Sequence, residues 1–104
     1  MTTFDNRENA FENQFAHDAE VQFKVAARRD KLIGLWAAGL LGHVGEAVDS
    51  YAKSVILADL EEPGDADVIR KLVADLDGLV SEADIQAQLE LLEAEARRQI
   101  MDTL

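Results

Sequence analysis

The sequence gathers Lys24, Arg28, Arg29 and Lys31 into one eight-residue stretch, KVAARRDK at 24–31, with Asp30 as its single acid. Cations this dense either hold an external anion, such as nucleotide phosphates or an acidic patch on a partner, or pair with acids of their own chain. Lys24 and Arg28 stand four residues apart and share a face if the stretch is helical. The acids for internal pairing are present, because residues 45–104 carry fifteen acids against five bases. In that reading the cations meet the acidic second and third helices. Both readings stay open on these residues alone.

Catalytic chemistry finds no comparable cluster. His17 and His43 are isolated, outside any HExxH pattern and without carboxylates or thiols at ligand spacing, so both read as surface or turn histidines. None of the serines lies in a nucleophile-elbow sequence. GLWAAG at 34–39 has two glycines but no following Lys-Ser/Thr, so it is no phosphate-binding loop, and its small residues instead suit close helix packing. No enzyme, metal site or resident cofactor is expected.

The remaining concentration is aromatic. All four phenylalanines fall within the first 23 residues. At about 100° per helical residue, Phe4, Phe11 and Phe15 lie within about 40° of one another. Phe23 points elsewhere and is assigned to the core. The residues between the three are polar: Asp5, Asn6, Arg7, Glu8, Asn9, Glu12 and Asn13. Such a stripe either folds back onto its own bundle or enters a partner's groove. Burying three Phe side chains contributes about 5–9 kcal/mol gross, whereas ordering a flexible segment costs about 2–5 kcal/mol. A partner complex therefore needs Arg7, other polar contacts, or a second contact made by the body of the protein.

These residues must be positioned by one modest domain of 104 residues. The absence of Cys excludes disulfides and permits a reducing compartment. The longest apolar run, LIGLWAAGLL at 32–41, is about half the roughly 20 residues of a spanning helix, and no signal-peptide pattern precedes it. A soluble protein without direct membrane insertion is expected. Net charge is −11, nearly all of it in residues 45–104, which disfavours nucleic acid as a partner.

Hydrophobic spacing is helical throughout. A first helix is expected from about residue 18, or earlier, to Leu41, with Leu32, Trp36 and Leu40 at steps of four and a left-handed cap at LGHVG. A second spans about Glu46–Glu62, with Val48, Tyr51, Ala52, Val55, Ile56 and Leu60 on one face; Pro63 stops it. Asp65 is placed to cap the third, whose face is Val68, Ile69, Leu72, Val73, Leu76 and Leu79. Ser81 and Asp84 open the fourth, whose stripe is Ile85, Leu89, Leu92, Ala96 and Ile100. Four amphipathic helices with short turns imply an all-α four-helix bundle.

TTFDNRENAFENQFAHDAEVQFKVAARRDKLIGLWAAGLLG, followed by YAKSVILADLEEPGDADVIRKL, resembles the zeta subunit of alphaproteobacterial F-type ATP synthases. The most specific parts are TTFD-RE-AFE, FAHD and ARR-KL-GLWAA. The resemblance implies a four-helix bundle over 20–104 and an inhibitory segment over about 1–19, mobile or partly helical. It implies that ATP hydrolysis is blocked by insertion of that segment between catalytic alpha and beta subunits, near the gamma subunit. Phe4, Phe11 and Phe15 then become apolar anchors and Arg7 a polar contact. Gln14 stands where the family commonly has Lys, Asn6 replaces Asp, Leu60 a frequent Phe and Pro63 a frequent Ala. The implied location is cytoplasmic, peripheral to the inner membrane through the ATP synthase. The alternatives are weak ATP/ADP sensing by the basic cluster near Trp36, or an assembly role in the same complex without strong inhibition.

Overall fold

The computed structural model describes the backbone of residues 3–60 and 64–104, and the side chains of those from residue 18 onward. Its elements are α1 (Thr3–Leu40), α2 (Glu46–Asp59), α3 (Ala66–Asp75) and α4 (Glu82–Asp102). α1 packs most extensively, against α2 and α4, while α3 rests on both of those shorter helices. The expected all-α four-helix bundle is the observed architecture, and the described residues contain no strand. α1 begins much earlier than residue 18, and α2 ends sooner than Glu62. Pro63, expected to stop α2, lies outside the described residues.

The turn between α1 and α2 follows from Gly42. Its φ of +81° is left-handed, where a Cβ would be strained. The His43 amide then bonds the Ala38 carbonyl at 3.0 Å, and the Gly42 amide bonds Gly39 at 3.1 Å. These are the paired bonds of a Schellman cap. At α4 the capping box is reciprocal. The Asp84 amide donates to Ser81 Oγ at 3.1 Å, and the Ser81 amide donates to Asp84 Oδ2 at 3.3 Å. Asp65 does sit at the N-cap of α3, but its side chain accepts no capping bond. Its ψ of 5° departs from the extended conformation that folds a cap side chain back over the first turn.

Two apolar clusters form the core. Ile33 and Ala37 of α1 meet Val55, Val68, Leu72, Leu76, Ile85 and Leu89, with Trp36 partly buried against them. Val21 and Val25 meet Ala96 and Ile100 in a smaller cluster between α1 and α4. Leu40, Leu60, Val73 and Leu79 were assigned to the apolar faces, yet all four are exposed. Leu40 and Leu60 lie at helix ends, Leu79 in the turn between α3 and α4, and Val73 on the flank of its helix face.

Phe23 is a clear departure, because it is 62% exposed rather than in the core. It stands two residues from both buried valines, Val21 and Val25. Two residues turn an α-helix by about 200°, so Phe23 faces away from the cluster that holds them.

α1 and α2 approach closely at Gly34. A Cβ there would lie 2.7 Å from the Ala52 Cα, a backbone atom unable to yield without moving the helix. Gly39, in the same GLWAAG stretch, faces open space. Gly34→Ala is therefore expected to cost about 1–3 kcal/mol despite the better helix propensity of Ala, whereas Gly39→Ala gains up to about 1 kcal/mol. Ser81→Ala should cost about 1 kcal/mol through loss of the cap. Chemical denaturation of the three variants checks both sign and size.

Candidate functional site

The four clustered cations part company in the fold. Lys24 pairs along the helix with Glu20 at 3.3 Å, and the Arg28 guanidinium reaches Gln99 of α4 at 2.9 Å. Lys24, Arg28 and Lys31 line one side of a groove with Phe23, Ala27, Ile56 and Ile100. Trp36 is not part of it, since its ring packs on the main core. Phe23 is the aromatic residue beside the cations.

Arg29 turns the other way and is buried. Its Nε and Nη2 hold Asp30 Oδ1 at 3.1 and 3.0 Å. Nη2 also faces Asp59 of α2 at 3.6 Å, and Nη1 faces Glu93 of α4 at 3.5 Å. The internal pairing expected for the cluster is thus real for Arg29, but its partners lie on α1, α2 and α4 rather than α3. The sequence carried a signal for this burial: Val25, Arg29, Ile33 and Ala37 form one row at steps of four. Asp30 and Asp59, which carry the electrostatics of this region, were not singled out from the sequence.

Asp30 is 1% exposed. Burial, a hydrogen-bonding contact with the Asp59 carboxyl and the charge of Asp59 raise its pKa to about 8, with Arg29 opposing. As two ionised acceptors the pair contains no donor, and Asp30 Oδ2 accordingly accepts no hydrogen bond among the described residues. A proton on Asp30 supplies the donor. The two aspartates and Arg29 form the floor of a cavity of about 480 Å³, beside Asp65. Its walls are Phe23, Ala26, Ala27, Ile56 and Leu60. Phe23 thus forms a ridge with a cationic groove on one side and an acid-floored cavity on the other.

A second polar cluster joins α2 to α3. Tyr51 donates to Asp75 Oδ2 at 2.8 Å, as does Lys71 at 2.9 Å, and the Lys71 ammonium lies 5.1 Å from the Tyr51 ring centroid. Burial alone would raise Asp75, but the bonds from Lys71 and Tyr51 hold it below its ordinary value. His43 stacks at a tilt beside Tyr51 in the turn. His17 lies outside the described side chains. Among the described residues no cluster of three or more His, Asp or Glu side chains is placed to hold a metal. No helix of the described residues is long and apolar enough to cross a membrane.

The other site residues, Phe4, Arg7, Phe11, Gln14 and Phe15, have side chains outside the described set. Their backbone belongs to α1, whose helix is continuous from Thr3.

Asp30 fixes the sign of the pH dependence of stability. Its pKa is raised in the folded state from 3.8 to about 8, so folding retains a proton that the unfolded chain releases. This contribution is complete below about pH 4 and is lost as pH rises to about 8. The melting temperature should therefore fall between pH 5 and pH 9. In Asp30→Asn the amide permanently supplies the missing donor, so the fall should largely disappear. At pH 9 the variant should exceed the parent by at least about 1 kcal/mol, or roughly 4–8 °C. Thermal melts of both proteins across this range test the assignment.

Comparison with known proteins agrees with this geometry. The sequence profile of the family described as ATPase inhibitor subunit zeta matches residues 1–99. A solution NMR structure of a protein 51% identical superposes with a TM-score of 0.73, over 80% of this chain and 98% of that one. No match is found among curated protein sequences. With a bundle of this form and a family match over nearly its whole length, the chain belongs to the ATPase inhibitor subunit zeta family, and its role is regulation of an ATPase.

Proposed function

We propose that the chain restrains ATP hydrolysis by the F-type ATP synthase through residues 1–19. This segment inserts as a helix between catalytic alpha and beta subunits, near gamma. The observation that supports this reading best is the reach of α1. Its backbone runs without a break from Thr3 into the bundle, where Val21 and Val25 are buried. Eighteen residues of helix correspond to about 27 Å at 1.5 Å per residue. At the spacing 4, 11 and 15, the three phenylalanines serve as the anchors in this reading, with Arg7 as a polar contact. A wedge of this kind acts sterically, by opposing closure of the interface that hydrolysis requires, and needs no covalent chemistry. Gln14, uncharged beside Phe15, contributes no ion pair, which lowers affinity relative to a cation there.

Truncation of residues 1–19 should abolish inhibition of the cognate ATPase while the bundle retains its melting transition. Phe11→Ala with Phe15→Ala should weaken inhibition at least tenfold, since each buried Phe contributes about 1.5–3 kcal/mol. Steady-state ATP hydrolysis against inhibitor concentration measures both. Full inhibition by the truncated protein would overturn the reading.

The groove formed by Lys24, Arg28, Lys31 and Phe23 favours a second, compatible reading, weak ATP or ADP binding with the base on Phe23. Saturable amide shifts at these residues on ATP titration are expected, and their absence rejects it. Binding to the ATPase without any effect on hydrolysis would instead favour an assembly role.

A further inference from the structure

We infer that Asp30 and Asp59 form a proton-operated latch on the last turn of α2, closed while the two carboxyls share a proton and released when they lose it. Asp59 is the final residue of α2, and Asp30 meets it from α1. The Asp30 side chain is almost completely buried, and that of Asp59 is 15% exposed. Among the described residues Arg29 is the one cation paired with either, and Glu93 of α4 takes a share of it. Its guanidinium holds Asp30 Oδ1 at 3.0 Å but stands 3.6 Å from Asp59 Oδ2, beyond hydrogen-bonding distance. No side chain or backbone group of the described residues donates to Asp30 Oδ2. Two ionised carboxylates placed this way would be acceptors only, drawn out of water and short of positive charge. One shared proton makes them a donor and an acceptor, and so joins the two helices.

The end of α2 has little else to hold it. Val55 is its last buried residue, and Leu57 is exposed. The Leu60 amide closes the helix with a tight bond to the Leu57 carbonyl at 3.2 Å. The last turn carries no basic residue to offset the negative end of the helix dipole, so charge on Asp59 is disfavoured a second time. The main core packs Val55 with Ile33, Val68, Leu72 and Ile85, apart from these carboxyls. Release therefore frees the last turn while the bundle stays assembled. Ile56 of that turn walls both the cavity and the cationic groove beside Phe23, so both change shape with the latch.

The same groups set the pH at which the latch works. Burial and Asp59 on α2 raise Asp30 to about 8, with Arg29 on α1 opposing. Glu93 on α4, through Arg29, and Asp65 before α3 add negative charge nearby. Lys24, Arg28 and Lys31 line the groove on the other side of Phe23. The proton is held below about pH 8 and lost above it, so the latch is closed on the acid side and opens on the alkaline side.

The latch belongs to the bundle and is tested without an ATPase, so it and the inhibitory reading can fail separately. Because the chain has no cysteine, Gln22→Cys with Leu57→Cys places one spin label on exposed α1 surface and one on the end of α2. Double electron–electron resonance follows the distance between them from pH 6.5 to 9.5, and 13C NMR of the unlabelled full-length protein follows the carboxyl carbons. Asp30 and Asp59 should titrate as a pair with an upper midpoint near pH 8, and the distance should lengthen and broaden at the same midpoint. In Asp30→Asn, and separately in Asp59→Asn, the amide supplies the donor permanently, so the distance should stay short to pH 9.5. Titration of both carboxyls in the ordinary acidic range, a distance constant to pH 9.5, or lengthening that persists in both variants each overturns the latch. Loss of far-ultraviolet circular dichroism at the same midpoint also overturns it, since the whole bundle would then be unfolding.

Discussion

The buried guanidinium of Arg29 is the contact on which the arrangement of three helices depends. It belongs to α1, and its partners on α2 and α4 are Asp59 and Glu93. Removing a buried charge from such a set leaves uncompensated carboxylates and typically costs about 3–5 kcal/mol, more than most apolar truncations at the edge of a core. The pair is not a simple source of stability, since desolvating these groups costs about as much as their attraction returns. It ties α1 to both α2 and α4 through one guanidinium. Asp30 is left where burial and Asp59 favour its retaining a proton.

Small residues make that meeting geometrically feasible. Gly34 permits backbone contact with Ala52, while Ala37 and Ala38 are buried with no large side chain to hold the helices apart. Further along α1, among the described residues, Val21 and Val25 meet Ala96 and Ile100, with Leu32 packed against them. This cluster is smaller than the one around Ile33. Phe23 stays exposed beside Ile56 and Leu60, near the end of α2. The cavity and the groove sit where coverage runs out.

Much of this was legible in the sequence because it is local or periodic. Ser81 with Asp84, Gly42 at the turn, and the rows through Val55, Leu72 and Ile85 follow from spacing alone. The family resemblance rested on long motifs and agrees with the profile match. What escaped depends on which flank a neighbouring helix covers. Phe23 looked like core because it is large and apolar, but size does not say which side of α1 is covered. Arg29 and Asp30 looked like half of a charge run, although Arg29 stands in an apolar row. Asp65 has the right residue type for a cap, but its backbone angle denies it that role.

The continuity of α1 also bears on how two weak contacts combine. An isolated helix of about fifteen residues is marginal because its first turn must form without support. Here residues from Thr3 onward extend a helix already anchored by Val21, Val25 and Ile33, so propagation replaces nucleation. Phe15 precedes Phe23 by eight residues, about 12 Å along the axis and roughly 80° around it. Contacts made at two such positions of one helix are joined by a stiff spacer rather than a coil. A partner surface matching that offset engages both with little further loss of freedom, and the second contact then acts at high effective concentration. A surface matching only the stripe gains just the apolar term, less the ordering that remains.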